Sequence, residues 1–91
     1  MSSNQTAAGT AQAATVRAAV TRFLARYVDD TTLLQQHGLL TGGVLDSLAA
    51  VELLAHLERQ FGITVDNEDL EIDNFDSVDA IVAFVARKAA A

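Results

Sequence analysis

The chain has 91 residues, of which 51% are hydrophobic, and a formal net charge of -6. This length allows one domain, and this composition is typical of a compact folded chain. The absence of cysteine excludes a disulfide framework and a thiolate metal site, and with only two histidines, far apart in sequence, no metal site is predicted.

Six basic residues against twelve acidic ones argue against a nucleic-acid partner. No apolar run approaches the roughly 18 residues that span a bilayer, and the N-terminus lacks the features of a signal peptide. We therefore expect a cytoplasmic protein without a membrane partner. Residues 1–9 have little to bury, which predicts a disordered tail. The folded domain is expected over residues 10–88, with a frayed C-terminus at 89–91.

The first helix is predicted over residues 11–28, where apolar side chains recur at spacings of four and three. These side chains are Val16, Val20, Phe23 and Tyr27. The connection over residues 29–45 is long, and such connections are often functional. It contains a possible helical turn with Asp30 as its cap and Gly38 as its end. Its apolar residues are expected to pack against the core: Leu33, Leu34, Leu39, Leu40, Val44 and Leu45.

A second helix is predicted to begin at Asp46-Ser47 and to end at Gly62. Asp46 is a good N-cap residue, since its side chain can accept a hydrogen bond from a first-turn N–H. Ser47 would lie beside unpaired backbone donors, where a phosphate on its hydroxyl would be stabilised. Asp-Ser pairs at helix starts are usually only caps, however, and Asp76-Ser77 begins another apolar segment. Context has to distinguish the two pairs.

The second helix carries two apolar stripes. The stripe expected to face the core consists of Ala50, Leu53, Leu54, Leu57 and Phe61. The other stripe, displaced by roughly 120°, consists of Leu48, Val51 and Ala55. It either packs against the connection over residues 29–45 or forms a partner-docking surface with a charged rim that includes Glu52.

An acidic segment and a last helix complete the chain. A calcium loop starting at Asp66 would need glycine where Glu71 stands, so we interpret the segment as the solvated edge of a short third helix. Its expected anchors are Leu70, Ile72 and Phe75. The last helix is predicted over residues 77–88, with Ser77 as a plain cap and Phe84 at the margin of its buried face. That face consists of Val78, Ile81, Val82 and Val85.

These elements predict an all-α fold, namely a small four-helix bundle of three main helices and a short third helix, with a long loop between the first two. Over residues 16–88 the chain resembles the phosphopantetheine-dependent carrier proteins, which include acyl and peptidyl carrier proteins. The resemblance is carried by Leu45-Asp46-Ser47-Leu48, by Val51-Glu52-Leu53 and by Phe61-Gly62-Ile63.

The resemblance implies an acyl-carrier-protein-like fold and a non-catalytic role. Ser47, next to Asp46, would receive 4′-phosphopantetheine from coenzyme A through a phosphopantetheinyl transferase, normally with magnesium. The thiol of this arm would carry a thioester from an adenylation or acyl-loading enzyme to condensing, tailoring or thioesterase enzymes. The residues that match the family's docking helix are Leu48, Val51, Glu52 and Ala55. We expect a monomer.

Fatty-acid carriers usually have a strongly acidic second helix, whereas this one carries, after Asp46, only Glu52 and Glu58 against Arg59. We therefore favour a freestanding aminoacyl or peptidyl carrier, of the D-alanyl carrier type or of an antibiotic-forming nonribosomal peptide pathway. An acyl carrier of a polyketide or fatty-acid pathway is the alternative. The start methionine and the short tails favour a standalone protein.

Two other classes of protein are considered. An enzyme could pair Ser47 with His37 or His56, but His56 lies about 180° around the helix from Ser47, and the chain has no nucleophile-elbow motif. A helical interaction domain would have the same fold and docking surface, yet Ser47 would never be modified.

Overall fold

The fold is given by a computed structural model that describes residues 2–35 and 38–90, with side chains from residue 13 onward except that of Thr31. The described residues form three α-helices: α1 (Ser2–Leu24), α2 (Ser47–Phe61) and α3 (Val78–Ala90). Three short 3₁₀ turns lie in the connections. The all-α prediction is confirmed, but these residues contain three α-helices and not four. None of the three is long and apolar enough to cross a membrane.

Helix α1 begins and ends earlier than the predicted residues 11–28. It includes residues 2–9, for which a disordered tail was predicted; this stretch has no proline to interrupt a helix. At its other end the Tyr27 N–H bonds the Leu24 carbonyl three residues back, at 2.9 Å. This tighter turn ends the α-helix before Tyr27. The domain boundaries at residues 10 and 88 stay a prediction.

The core lies between the three helices and the first connection, and α1 makes its most extensive contact with α3. Among the described residues no polar or charged side chain is buried. The largest fully buried side chains are Val20, Leu24, Leu34, Leu39, Leu53, Leu57, Ile81 and Phe84. Each contributes about 1.5–3 kcal/mol of hydrophobic stabilisation. Two of the eight, Leu34 and Leu39, come from the connection, so this loop is part of the core.

The connection between α1 and α2 follows the prediction closely. A 3₁₀ turn spans Thr31–Gln35, and the Asp30 carboxylate accepts hydrogen bonds from the Thr32 hydroxyl and N–H at 2.6 and 3.0 Å. These bonds lower the pKa of Asp30. Leu45 is buried like Leu34 and Leu39, and three further apolar residues are half-buried: Leu33, Leu40 and Val44.

Two buried faces are rotated from their predicted positions. In α2 the buried residues are Ala49, Leu53 and Leu57, and the predicted Ala50 is only half-buried. In α3 Phe84 is fully buried and Val82 is half-buried, the reverse of the prediction. Phe84 is buried because its ring packs edge-on against Phe75, with centroids 4.9 Å apart. Periodicity locates an apolar arc, whereas neighbouring elements decide which of its residues are covered.

The predicted third helix is replaced by two 3₁₀ turns, Asn67–Asp69 and Ile72–Asn74. Phe75 is buried as predicted, but Leu70 and Ile72 are 54% and 55% exposed, so they do not anchor this segment. Side chains that bond nearby backbone groups compete with helical hydrogen bonds. Here the Asp69 carboxylate accepts from the Asp66 N–H at 2.9 Å, and this local bond favours a turn.

The same segment forms ion pairs and a hydrogen bond with side chains near the ends of α3 and α2. Lys88 forms ion pairs with Asp69 and Asp66 at 2.8 and 3.2 Å. The Lys88 ammonium group and the Asp66 N–H lower the pKa of Asp69 through the hydrogen bonds they donate. The Glu58 carboxylate accepts the Val65 N–H at 2.9 Å. Part of the acidic edge is therefore neutralised by α3.

Candidate functional site

The N-terminus of α2 has the predicted capped geometry. Asp46 has an extended backbone, with φ -89° and ψ 179°, and its Oδ1 accepts the Ala49 N–H at 2.8 Å. Its carbonyl accepts the Ala50 N–H at 3.0 Å. Ser47 is the first residue of α2, and its side chain is exposed. The capping acceptor is thus Asp46, and Ser47 is an exposed residue of the first helical turn.

Two buried residues hold this exposed segment in place. Leu45 and Ala49 are 3% and 2% exposed, whereas the three residues between them are all exposed. The Leu45 N–H also donates to the Leu39 carbonyl at 2.8 Å. Ser47 therefore lies at the centre of a short exposed segment, and the residues on either side of this segment, Leu45 and Ala49, are buried in the core.

In the loop before this exposed segment, the backbone at Gly42 lies so close to the backbone at Gly38 that only glycine fits. The Gly42 N–H donates to the Gly38 carbonyl at 2.6 Å, and a Cβ atom on Gly42 would lie 2.5 Å from that oxygen. Gly38 and Gly43 have φ values of 83° and 78°, in the left-handed region that glycine adopts most readily. Three of the five glycines of the chain thus shape the turn that leads to Ser47.

The second Asp-Ser pair is built differently. The Ser77 hydroxyl accepts the Ala80 N–H at 3.0 Å, which confirms that Ser77 caps α3. Asp76 accepts hydrogen bonds from the loop of residues 38–41, through its carboxylate and its backbone carbonyl. In the first pair the aspartate caps and the serine is exposed; in the second the serine caps. Sequence reasoning missed the role of Asp76, because its partners lie more than 30 residues away in the chain.

The second apolar stripe of α2 is mostly open to solvent. Leu48 and Val51 are 65% and 62% exposed, and Ala55 is half-buried. These exposures argue against the alternative in which the connection over residues 29–45 covers the stripe. Glu52 borders the stripe, and its carboxylate accepts a hydrogen bond from the Tyr27 hydroxyl. This bond raises the pKa of Tyr27 and places a side chain of the first connection at the edge of the stripe.

His56 takes part in helix packing and does not meet Ser47. Its ring stacks on Phe23 of α1, with centroids 4.4 Å apart and an interplanar angle of 19°. Burial lowers the pKa of His56, and the charges of Arg59 and Arg26 lower it further. The other histidine that sequence analysis considered, His37, lies outside the described residues.

Ser47 fits the attachment of a phosphodiester. Its hydroxyl is exposed, and the attached phosphate would lie at the N-terminal end of a 15-residue helix, where the dipole and the first-turn N–H groups favour an anion. The exposed stripe that begins at Leu48 lies directly beside it.

Residues 14–85 match the family model described as the phosphopantetheine attachment site. The chain belongs to this family, the phosphopantetheine carrier proteins, whose prosthetic group is covalently attached phosphopantetheine.

Among curated proteins, the chain is similar to the D-alanyl carrier protein of Streptococcus suis (strain 98HAH33), with 32% identity over 59 residues that cover 65% of this chain and 75% of that protein. It is 36% identical to the D-alanyl carrier protein of Streptococcus pyogenes serotype M5 (strain Manfredo) over 56 residues, which cover 62% and 71% of the two chains. The corresponding protein of Streptococcus mutans serotype c is 32% identical over 56 residues, with the same coverage of both chains.

Proposed function

We propose that this protein bears its 4′-phosphopantetheine on Ser47 and carries an aminoacyl or peptidyl group between biosynthetic enzymes. The observation that supports this assignment best is the contrast between the two Asp-Ser pairs. The Ser77 hydroxyl is used to cap α3, whereas Asp46 caps α2 and the Ser47 side chain is exposed. Ser47 is thus the serine of the two that a transferase can reach without breaking a cap.

The residues around Ser47 have separate tasks in this proposal. Asp46 fixes the first turn of α2, and the helix dipole stabilises the phosphodiester. Bound phosphopantetheine supplies a thiol on which substrates can be held as thioesters, and this cysteine-free chain has no thiol of its own. The chain itself needs no catalytic residue for this role.

The exposed stripe of Leu48, Val51 and Ala55, with Glu52 at its rim, is proposed as the docking surface. The phosphopantetheinyl transferase, the loading enzyme and the downstream enzymes would meet the carrier here. A small apolar patch with a charged rim suits contacts that form and break quickly. Rapid release is needed because one carrier serves several enzymes in turn.

An aminoacyl group is the favoured cargo for two reasons. The similar curated proteins are named D-alanyl carrier proteins, so an amino acid is what their names assign to them. Helix α2 is also weakly acidic, with Glu52 and Glu58 against Arg59. A polyketide or fatty-acid acyl group is the second candidate, and an interaction domain that is never modified is the candidate of another class.

Loading of the modified protein tests the cargo class. The protein carrying phosphopantetheine is incubated with ATP and an amino-acid-activating enzyme of the D-alanine type, and in parallel with an acyl transferase and malonyl-coenzyme A. We expect intact-protein mass spectrometry to show the gain of one aminoacyl group, released by hydroxylamine as thioesters are. Gain of only the malonyl group would support the acyl alternative instead. Ser47→Ala is the control and should gain neither group.

A further inference from the structure

In the part of the chain that the structure describes, Asp76 at the start of α3 accepts hydrogen bonds from the loop that leads to Ser47. We propose that Asp76 is a positioning residue: it holds this loop so that Ser47 is presented correctly to the transferase and to partner enzymes. The inference rests on the proposed attachment of phosphopantetheine to Ser47. It adds a residue 29 positions away in sequence to the machinery of the site.

Asp76 accepts five hydrogen bonds from four consecutive loop residues. Its carbonyl accepts the N–H groups of Gly38 and Leu39, both at 2.8 Å. Its Oδ1 accepts the N–H groups of Leu40 and Thr41 at 2.7 and 3.0 Å, and its Oδ2 accepts the Thr41 hydroxyl at 2.8 Å. The side chain alone therefore satisfies three donors.

These bonds continue towards Ser47 through two buried leucines. Leu39 donates its N–H to the Asp76 carbonyl, and its own carbonyl accepts the N–H of Leu45 at 2.8 Å. Leu39 and Leu45 are 0% and 3% exposed, so both are fixed in the core. Leu45 directly precedes Asp46 and Ser47. A displacement of the loop would thus also shift the first turn of α2. The connection runs through the hydrogen bond between Leu39 and Leu45 and then along the chain through Leu45 and Asp46.

The loop is fixed in the core by Leu39 and Leu45, but residues 41–43 between them are exposed. Its glycine-rich turn is closed by local bonds, from Gly42 to the Gly38 carbonyl and from Gly43 to the Leu40 carbonyl. Such bonds set the shape of the turn and not its place on the molecule. The bonds to Asp76 connect the turn to α3, and a misplacement of about 1 Å far from a reacting group can cost about 100-fold in rate.

Three single variants separate positioning from simple stability. Asp76→Ala removes the acceptor of three side-chain bonds and leaves the backbone carbonyl in place. Asp76→Asn is conservative, because its amide oxygen can still accept from Leu40 and Thr41. Ser77→Ala is the matched control, since it removes the cap of the same helix at the next residue and leaves the loop bonds intact.

The main measurement is the initial rate of phosphopantetheinyl transfer at varied carrier concentration, with one transferase and at a temperature where circular dichroism shows every variant folded. We expect Asp76→Ala to lower kcat by about tenfold or more, with KM little changed, because Ser47 is misplaced while the docking stripe is intact. Asp76→Asn should stay close to wild type. Ser77→Ala should lower the melting temperature without this loss of kcat.

Amide hydrogen exchange supplies a readout that a purely structural role would not produce. In Asp76→Ala, protection should fall at Leu40, Thr41 and Leu45, while Leu57 in the middle of α2 keeps its wild-type protection. An equal loss at Leu45 and Leu57 would mean global destabilisation and would overturn the inference.

Failure of this inference differs from failure of the proposed function. If wild type is modified on Ser47 and Asp76→Ala is modified with the same kcat, only the role of Asp76 is wrong. If wild type accepts no phosphopantetheine, the attachment proposal fails and this inference fails with it. Should Asp76→Ala not fold, the variant Thr41→Val takes its place. This substitution removes the hydrogen bond from the Thr41 hydroxyl to Asp76 at nearly constant side-chain volume. Unchanged transfer kinetics and unchanged hydrogen exchange in Thr41→Val would overturn the inference.

Discussion

The two Asp-Ser pairs show that the same dipeptide can be used in opposite ways. In the first pair the carboxylate of Asp46 bonds the Ala49 N–H, so the following serine becomes the first helical residue. In the second pair Ser77 bonds the Ala80 N–H, so α3 begins one residue later and Asp76 can bond the loop. Which residue caps the helix decides which serine is exposed.

Asp46 contributes to stability through its cap. Asp46→Ala leaves the Ala49 N–H without its acceptor and should lower the free energy of unfolding by about 1 kcal/mol. Asp46→Asn should keep most of it, because asparagine caps helices about as well. Urea unfolding followed by circular dichroism measures both. Equal stability of Asp46→Ala and wild type would show that the cap contributes nothing.

We expect His56 to link stability to pH below pH 6.5. Burial, Arg59 and Arg26 lower its pKa below the usual 6.5, so the folded state prefers the neutral ring. Below pH 6.5 the unfolded state binds this proton more readily, and stability therefore falls as pH drops from 6.5 towards the lowered pKa of the folded state.

A His56→Phe variant isolates this effect, since it keeps an aromatic ring against Phe23 and removes the titrating group. The urea midpoint is measured at about pH 7.5 and at about pH 5.5. Its decrease between these two pH values should be larger in wild type than in the variant. His37 is present in both proteins and cancels in the comparison. An equal fall in both would mean that His56 does not couple folding to pH.

At the scale of the elements, helix α2 has two apolar faces that differ in burial, and the proposed function gives them different roles. Leu53 is 1% exposed and Leu48 is 65% exposed, although both are leucines five residues apart on one helix. This pair offers a direct test of which face stabilises the fold and which meets partners.

Leu53→Ala should lower the free energy of unfolding by about 2–5 kcal/mol, because it leaves a cavity in the core. Leu48→Ala should change it by no more than about 0.5 kcal/mol and should instead raise KM for the transferase. Urea unfolding and transfer kinetics measure the two effects. An unchanged KM for Leu48→Ala, and for Val51→Ala beside it, would remove the stripe from the docking surface.

Local features of the elements could be predicted from the sequence. Asp46 and Asp30 were identified as caps, and Gly62, in the left-handed region with φ 65°, as the residue that ends α2. The burial of Leu39 and Leu45 in a long connection was also predicted, and it is confirmed. These features depend on neighbouring residues, which is why local rules identify them.

Features set by contacts distant in sequence could not be predicted. Asp76 reaches a loop 35 and 36 residues away, and nothing near it in the sequence indicates those partners. Phe84 is buried because Phe75, which lies outside α3, packs against it. Leu70 is exposed for a local reason, because the bond between Asp66 and Asp69 favours a turn instead of a helix. The periodicity of the sequence predicts which side of a helix is apolar. Only packing against other elements decides which residues on that side are buried.

For the whole molecule, the features on which the proposed function rests meet in the N-terminal half of α2. The cap at Asp46, the exposed hydroxyl of Ser47 and the open stripe from Leu48 to Ala55 are contiguous, and the loop held by Asp76 leads directly into them. The rest of the described chain builds the apolar core that keeps these parts together. A phosphopantetheine carrier needs little more than such a site on a stable support.

The most direct test of the account is the intact mass of the protein after incubation with coenzyme A, magnesium and a broad-specificity phosphopantetheinyl transferase. Ser47→Ala and Ser77→Ala are treated in the same way. We predict the gain of one phosphopantetheine on wild type and on Ser77→Ala, and none on Ser47→Ala. A gain on Ser47→Ala that disappears in Ser77→Ala would assign the attachment to the other serine. No gain on folded wild type, with several transferases tried, would contradict the assignment of Ser47 and favour an unmodified interaction domain.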